Sequence, residues 1–330
     1  MSLEKVTFGG SVVLFGFLLS FYLVSIYVLD FNIFETMGLF IFCFLIKRLY
    51  NLINIYNSKN KLTPIKENEW AIITGCTSGL GKSLAFDMAK EGFNLILISR
   101  NINSLKLLES EIIHKYNIRT ICIEHDFNDT NIETMKNKLE ITKDKYITVL
   151  VNNVGISKEI TDEYTNYSLS DDFEIIRINI DVQLMMAKLL LPKFKEQKYG
   201  YIINISSGSA YEPCPYISVY GSTKAFLRYW SNALSIENEQ YNIKFYVCLP
   251  LFFLSNMVQE KESILVPKSD VISEAILRHC LVTRESCPYF FHWLQQFIYS
   301  NIPLEDFTAK IFTGIYKKKQ LEKQSEKKSS

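Results

Sequence analysis

The sequence predicts an α/β fold, a doubly wound parallel sheet covered by helices on both faces. Three observations predict it. Short apolar runs recur along the chain, stretches of helical length separate them, and a glycine-rich turn directly follows the first run. The strand candidates are residues 70–74, 94–98, 119–124, 147–151, 201–205 and 244–248, and residues 83–91 read as the helix after the turn. A chain of 330 residues buries a full core and suits one large domain with appendages. The net charge of +1 gives no case for a nucleic-acid partner. The hydrophobic content of 48%, with 23 Phe and 19 Tyr, suits a protein that meets a membrane. Seven cysteines, an odd number with no CxxC pair, read as reduced thiols rather than a zinc site or a disulfide framework. The four histidines, His114, His125, His279 and His292, lack ligand spacing, so no metal is expected.

The N-terminal region opens with residues 6–29, which carry no charge and are long enough to span a bilayer as a helix. Asp30 and Glu35 interrupt the run, and a second run, residues 37–46, ends at Lys47 and Arg48. The second run is short for a span; it pairs with the first as a hairpin or lies in the interface. A cleaved signal peptide is the competing reading, but the first run exceeds a usual apolar region and no clear cleavage site follows. Lys47, Arg48, Lys59, Lys61 and Lys66 follow the apolar region and only Lys5 precedes it, which places the rest of the chain in the cytosol. Residues 1–47 are therefore expected to be an anchor and 48–66, rich in Asn and Lys, a linker. Residues 67–270 are expected to form the sheet domain, 271–316 a helical, aromatic extension, and 317–330 a basic tail. The extension either packs on the core as a helical subdomain or serves as a substrate lid or membrane-contacting surface.

The glycine-rich turn is Thr74-Gly75-Cys76-Thr77-Ser78-Gly79-Leu80-Gly81. Glycines at 75, 79 and 81 let the backbone approach a pyrophosphate, and the helix that follows offers unpaired N–H groups and a partial positive charge. The bland reading of such a spacing, a plain tight turn, suits the strand before it and the helix after it less well. The next strand candidate ends in Ser99-Arg100, where an NAD site usually places an acid. A guanidinium there matches a 2′-phosphate and points to NADPH; the alternative is an ordinary surface arginine. Asp126, after the third strand, is placed to accept from the adenine amine.

Tyr220 and Lys224 lie four apart and share one face of a helix. A nearby ammonium is expected to lower the phenol toward neutrality, so that Tyr220 exchanges protons with a carbonyl or alcohol. A lone YxxxK is weak, but this chain holds a single copy, downstream of Asn204-Ile-Ser-Ser207-Gly208 at the end of a strand. Ser207 precedes Tyr220 by thirteen residues and can bond the same carbonyl oxygen.

On these residues the chain resembles the short-chain dehydrogenases/reductases. The motifs are Trp70 through Ser83, Leu97-Ile-Ser-Arg100, Val151-Asn-Asn-Val-Gly155, Asn204 through Ser209 and Tyr220-Gly-Ser-Thr-Lys224, within residues 48–316. The chain is most similar to the membrane-bound branch of very-long-chain 3-oxoacyl-CoA reductases and type 12 17β-hydroxysteroid dehydrogenases, of which Asn-Asn-Val-Gly is typical. The resemblance implies a Rossmann-type sheet. It implies Tyr220 as proton donor, Lys224 on the nicotinamide ribose, Ser207 orienting the carbonyl and Asn179 holding a relay water. It also implies that Asn152 and Gly155 line the adenosine side and that Pro250 to Ser255 close over the nicotinamide. Ser255 stands where many relatives have Thr. The implied activity is NADPH-dependent reduction of 3-oxoacyl-CoA in fatty-acid elongation, with a hydroxysteroid or retinoid dehydrogenase as the second reading and a non-catalytic membrane scaffold as a remote one. The implied partners are a long-chain acyl-CoA or steroid substrate, a membrane, other elongation enzymes and a second copy of the chain. Lys327 and Lys328, third and fourth from the end, resemble a dilysine retrieval signal, which points to the endoplasmic-reticulum membrane with the catalytic domain facing the cytosol. The alternative is a solvated basic tail. Asn128, Asn166 and Asn204 match the glycosylation pattern and would stay unmodified in the cytosol.

Overall fold

A computed structural model describes residues 33–157, 162–255 and 261–301, with a few positions between 310 and 318. The apolar run at 6–29 and the lysines at 327 and 328 lie outside the described residues.

Residues 1–57 and 58–330 form separate units. In the first, helix α1 covers Ile33–Asn57. At 1.5 Å per residue, 25 residues reach about 37 Å, enough to cross a bilayer. Its apolar window has a mean hydropathy of 1.5 and is only 6% buried. The linker expected from residue 48 therefore begins later. Leu49, Leu52, Ile53 and Tyr56 continue the helical spacing through the Asn-rich stretch, and the helix ends at Asn57.

The rest of the expected linker also has structure. Leu62 is buried in the core of the second unit, where its N–H donates to Leu277 O at 2.8 Å. Glu69, itself buried, accepts from the Ile65 and Lys66 amides and from the Thr148 hydroxyl.

The second unit holds a seven-stranded parallel sheet in the order β3-β2-β1-β4-β5-β6-β7. The strands are β1 (Glu69–Thr74), β2 (Asn94–Ser99), β3 (Thr120–Glu124), β4 (Tyr146–Asn152), β5 (Gly200–Ile205), β6 (Ile243–Cys248) and β7 (Glu285–Ser286). Between them run α2 (Gly79–Lys90), α3 (Ile102–Lys115), α4 (Ile132–Leu139), α5 (Leu169–Ile176), α6 (Val182–Gln197), α7 (Ser218–Glu237) and α8 (Ser269–His279); α9 (Phe290–Asn301) follows β7. Period-two alternation divides the strand residues between two cores. Ala71, Ile73, Leu95 and Leu97 meet α2, α3 and α8 on one face. Trp70, Ile72, Ile96 and Ile98 meet α4 and α6 on the other. The six strand candidates all form, each within a residue or two of its expected bounds.

Of the two readings of residues 271–316, packing on the core describes their first part: α8 supplies Ile272, Ile276 and Leu277 to the core, and β7 pairs with β6. One feature was not expected. A five-residue π-helical segment, Arg177–Asp181, joins α5 to α6. Such segments widen a helix locally and frequently mark functional sites.

Candidate active site

Strand order reverses at β1, which lies between β2 and β4. The crevice beyond the carboxyl ends of these strands is where open α/β sheets bind ligands. The glycine-rich turn fills this place. Gly75 and Gly79 take φ of +63° and +52°, a region that L side chains rarely adopt. Gly81 is required by packing: a Cβ there would overlap the Gly75 carbonyl and lie 2.5 Å from Asn153 Nδ2. Ser78 stands at the N-cap of α2 but its side chain makes no cap hydrogen bond. The first-turn N–H groups of Gly79, Leu80 and Gly81 are thus left for an anionic ligand, as a pyrophosphate would need. The residues present fit a dinucleotide.

The neighbouring strands hold this turn in place. Gly75 N–H donates to Ile98 O at 2.9 Å, and the Thr77 and Ser99 hydroxyls bond at 3.0 Å. Arg100 follows β2 and is exposed. Asp126 is exposed two residues past β3, with one carboxylate oxygen accepting from Asn128 N–H at 3.0 Å. Ser255 lies over the turn, its Cβ 3.6 Å from where a Gly79 Cβ would stand.

The two residues expected on the adenosine side are held by neighbouring strands and helices. Asn152 is wholly buried, and its amide donates to Asn204 Oδ1 at 2.8 Å between β4 and β5. As the last residue of β4 it spends its side-chain amide on the neighbouring strand. The bracing falls to Asn153, which sequence reasoning passed over. Its Nδ2 donates to both Thr74 O and Gly75 O at 3.0 Å, and its N–H donates to Thr74 Oγ1. Gly155 is the second: a Cβ on it would lie 3.2 Å from both Lys224 Nζ and Asn179 Oδ1, so it borders those two groups. The Asn-Asn-Val-Gly motif was the signal for both, but alternation along the chain decides which of its side chains turns outward.

α7 carries Tyr220 and Lys224 one turn apart, and Ser207 follows β5 in extended backbone at φ −160°. The chain therefore brings Ser207, Tyr220 and Lys224 together at the ends of β5 and α7. Lys224 Nζ lies 5.6 Å from the Tyr220 ring centroid and donates to Ile205 O at 3.0 Å. The Ser206 hydroxyl donates to Lys224 O at 2.7 Å.

Burial pushes the Tyr220 phenol above its ordinary value of 10.0, while a hydrogen bond with Ser207 pulls the other way. Burial also lowers Lys224 to about 8. The net direction is opposite to the lowering expected from Lys224, because desolvation of the phenolate is the largest influence on the ring. The phenol is held in its protonated, donating form.

Asn179 sits inside the π segment, buried. It accepts from Ile156 N–H at 2.8 Å and donates to Ile156 O at 2.9 Å and Thr223 Oγ1 at 3.0 Å. Thr223 in turn donates to Tyr220 O at 2.7 Å. One helical turn on, Gln183 donates to Val154 O at 2.8 Å. Asn179 and Gln183 together clamp the backbone that separates the glycine-rich turn from Tyr220. Pro250 O accepts from Gly208 N–H at 2.8 Å, beside Ser207.

The short chain dehydrogenase family pattern matches residues 69–264, the stretch from β1 past Ser255. The chain belongs to the short-chain dehydrogenase family. It is an oxidoreductase that acts on an alcohol or carbonyl carbon with a nicotinamide cofactor. This dehydrogenase is 33% identical to the human very-long-chain 3-oxoacyl-CoA reductase over 71% of this chain and 76% of that protein. It is 31% identical to the enzyme of the same name from Coccidioides immitis (strain RS), over 79% of this chain and 78% of that one. It is also 32% identical to the human inactive hydroxysteroid dehydrogenase-like protein 1, over 68% of this chain and 70% of that protein. Among solved structures, a short-chain dehydrogenase from Sphingobium yanoikuyae in complex with NADPH superposes with a TM-score of 0.61 at 21% identity, covering 72% of this chain and 97% of that one.

Proposed function

We propose that the dehydrogenase reduces long-chain 3-oxoacyl-CoA to 3-hydroxyacyl-CoA with NADPH. The observation that carries this reading is its similarity, across more than two thirds of both chains, to proteins named very-long-chain 3-oxoacyl-CoA reductases. The protonated Tyr220 supports the reductive direction, because reduction needs a proton donor.

When bound, the nicotinamide supplies a hydride to the carbonyl carbon. The residues Gly75, Thr77, Ser78, Gly79, Leu80 and Gly81 cradle the pyrophosphate, and Arg100 pairs with the 2′-phosphate that distinguishes NADPH. Asp126 accepts from the adenine amine. Pro250 and Ser255 border the nicotinamide. Ser207 donates a hydrogen bond to the substrate oxygen, and Tyr220 donates its proton there as negative charge develops. Lys224 holds the ribose, and Asn179 orients a water that returns protons to the site.

The anchored setting is part of the proposal. α1 and the preceding apolar run hold the chain in an endoplasmic-reticulum membrane, with Tyr220 on the cytosolic side. Other elongation enzymes and a second copy of the chain are the expected neighbours. Asn128 and Asn166 are exposed sequons, so sugar on either would place this domain in the lumen.

The test is NADPH and NADH oxidation by the full chain against 3-oxoacyl-CoA of several lengths and steroid ketones. Turnover of 3-oxoacyl-CoA with NADPH is expected. Turnover confined to steroid ketones would favour the second reading, a hydroxysteroid dehydrogenase, which similarity to a chicken protein named hydroxysteroid dehydrogenase-like protein 1 supports.

A further inference from the structure

Ser207 depends on a segment that follows β6. Ser206 N–H donates to Cys248 O and Gly208 N–H donates to Pro250 O, both at 2.8 Å. The backbone on either side of Ser207 is therefore tied to residues 248–250. Leu251 closes the arrangement from above: a Cβ on Gly208 would overlap Leu251 Cδ2.

His292, on α9, meets this segment from its other side and is fully buried. Leu251 N–H donates to His292 Nδ1 at 3.3 Å. An amide N–H only donates, so Nδ1 must carry the lone pair and Nε2 the proton. Nε2 then donates to Leu265 O at 3.1 Å. One neutral tautomer satisfies both bonds. Burial lowers the imidazole to about 4, which keeps the ring neutral near pH 7. The Tyr289 ring stands edge-on at 5.0 Å and fixes the ring plane.

We propose that His292 is a positioning residue for the reduction: by holding Leu251 it sets, through Pro250 and Gly208, the angle at which Ser207 presents its hydroxyl to the substrate. The inference rests on the carbonyl-reductase reading. Its competitor is a buried histidine that contributes packing alone. The two arms of the imidazole can be separated. His292→Asn keeps an acceptor near the Nδ1 position and loses the bond to Leu265. His292→Gln keeps a donor near the Nε2 position and loses the bond to Leu251.

The experiment uses the full chain. It measures kcat and KM for 3-oxoacyl-CoA, NADPH affinity by fluorescence, melting temperature, and deuterium exchange of peptides spanning 206–211 and 249–255. His292→Gln is expected to lower kcat by about fivefold to thirtyfold, the effect of losing one or two kcal/mol of hydrogen bonding. NADPH affinity should hold, and exchange at Gly208 should quicken. His292→Asn should keep kcat within about threefold and leave Gly208 exchange slow, even where its melting temperature falls as far. Equal exchange at Gly208 in the two variants, or equal kcat at equal melting temperature, would overturn the proposal and leave His292 as packing. A wild-type chain that reduces no ketone would instead overturn the reductase reading, with Gly208 exchange still deciding the role of His292.

Discussion

The cofactor crevice and the substrate side of this dehydrogenase are built by different means. At the crevice, seven consecutive residues from Gly75 to Gly81 carry most of the design; they follow β1 directly, and the last three open α2. On the substrate side, Ser207, Tyr220 and Leu251 come from three elements, and His292 reaches Leu251 across 41 residues of chain. A local site tolerates changes elsewhere and fails when its own glycines change. A site assembled from distant segments is sensitive to single contacts that no motif marks.

The sharpest way to probe that contrast is at the proposed proton donor. Tyr220→Phe should lower kcat by about 10²- to 10⁴-fold, the span of general acid catalysis, while NADPH binding by fluorescence titration stays near wild type. Joint loss of turnover and NADPH binding would mean that the two regions are not separable. Gly81→Ala should do the converse. Its Cβ would meet the Gly75 carbonyl and Asn153, neither of which can yield cheaply. Overpacking of this kind costs roughly 1–3 kcal/mol, to be read as a lower melting temperature together with weakened NADPH binding. Unchanged binding would show that the turn is looser than its contacts imply.

Arg100→Glu gives a smaller effect and tests the crevice alone. A charge-assisted bond is worth about 1.5–3 kcal/mol, so the ratio of kcat/KM for NADPH over NADH should fall by about tenfold to a hundredfold. A constant ratio would return Arg100 to an ordinary surface role. The smallest effect is that of pH. Lys224 is charged below about 8 and loses its proton above it, while Tyr220 stays protonated past its ordinary value of 10.0. The reductive kcat should therefore be level below pH 8 and decline above it, by at most tenfold per unit. A decline that begins near pH 10 would assign it to Tyr220 instead.

Six strands, the glycine-rich turn and the Ser207–Tyr220–Lys224 grouping were legible because each depends on short-range patterning: apolar runs, a strand–turn–helix order and a four-residue helical spacing. β7 escaped notice because two residues, Glu285 and Ser286, carry no periodicity. The π segment around Asn179 has the composition of any helix. The choice between Asn152 and Asn153 turns on which side chain leaves the sheet, and adjacent residues of one type look alike in a sequence. The linker reading at 48–57 fails because Asn51, Asn54 and Asn57 masked apolar residues at helical spacing.

By itself the sequence determined the kind of fold and the family, and it named the candidate dinucleotide turn and the proposed proton donor. These follow from side-chain periodicity and from glycines that only one backbone conformation uses. The tertiary structure alone decided the state of the donor and the company it keeps. Burial, set by the packing of β5, α7 and the segment after β6, holds Tyr220 protonated and draws Lys224 down to about 8. The same packing brings Gly155 to Lys224 and His292 to Leu251. Desolvation and long-range contact are properties of the folded chain, and no local pattern of residues records them.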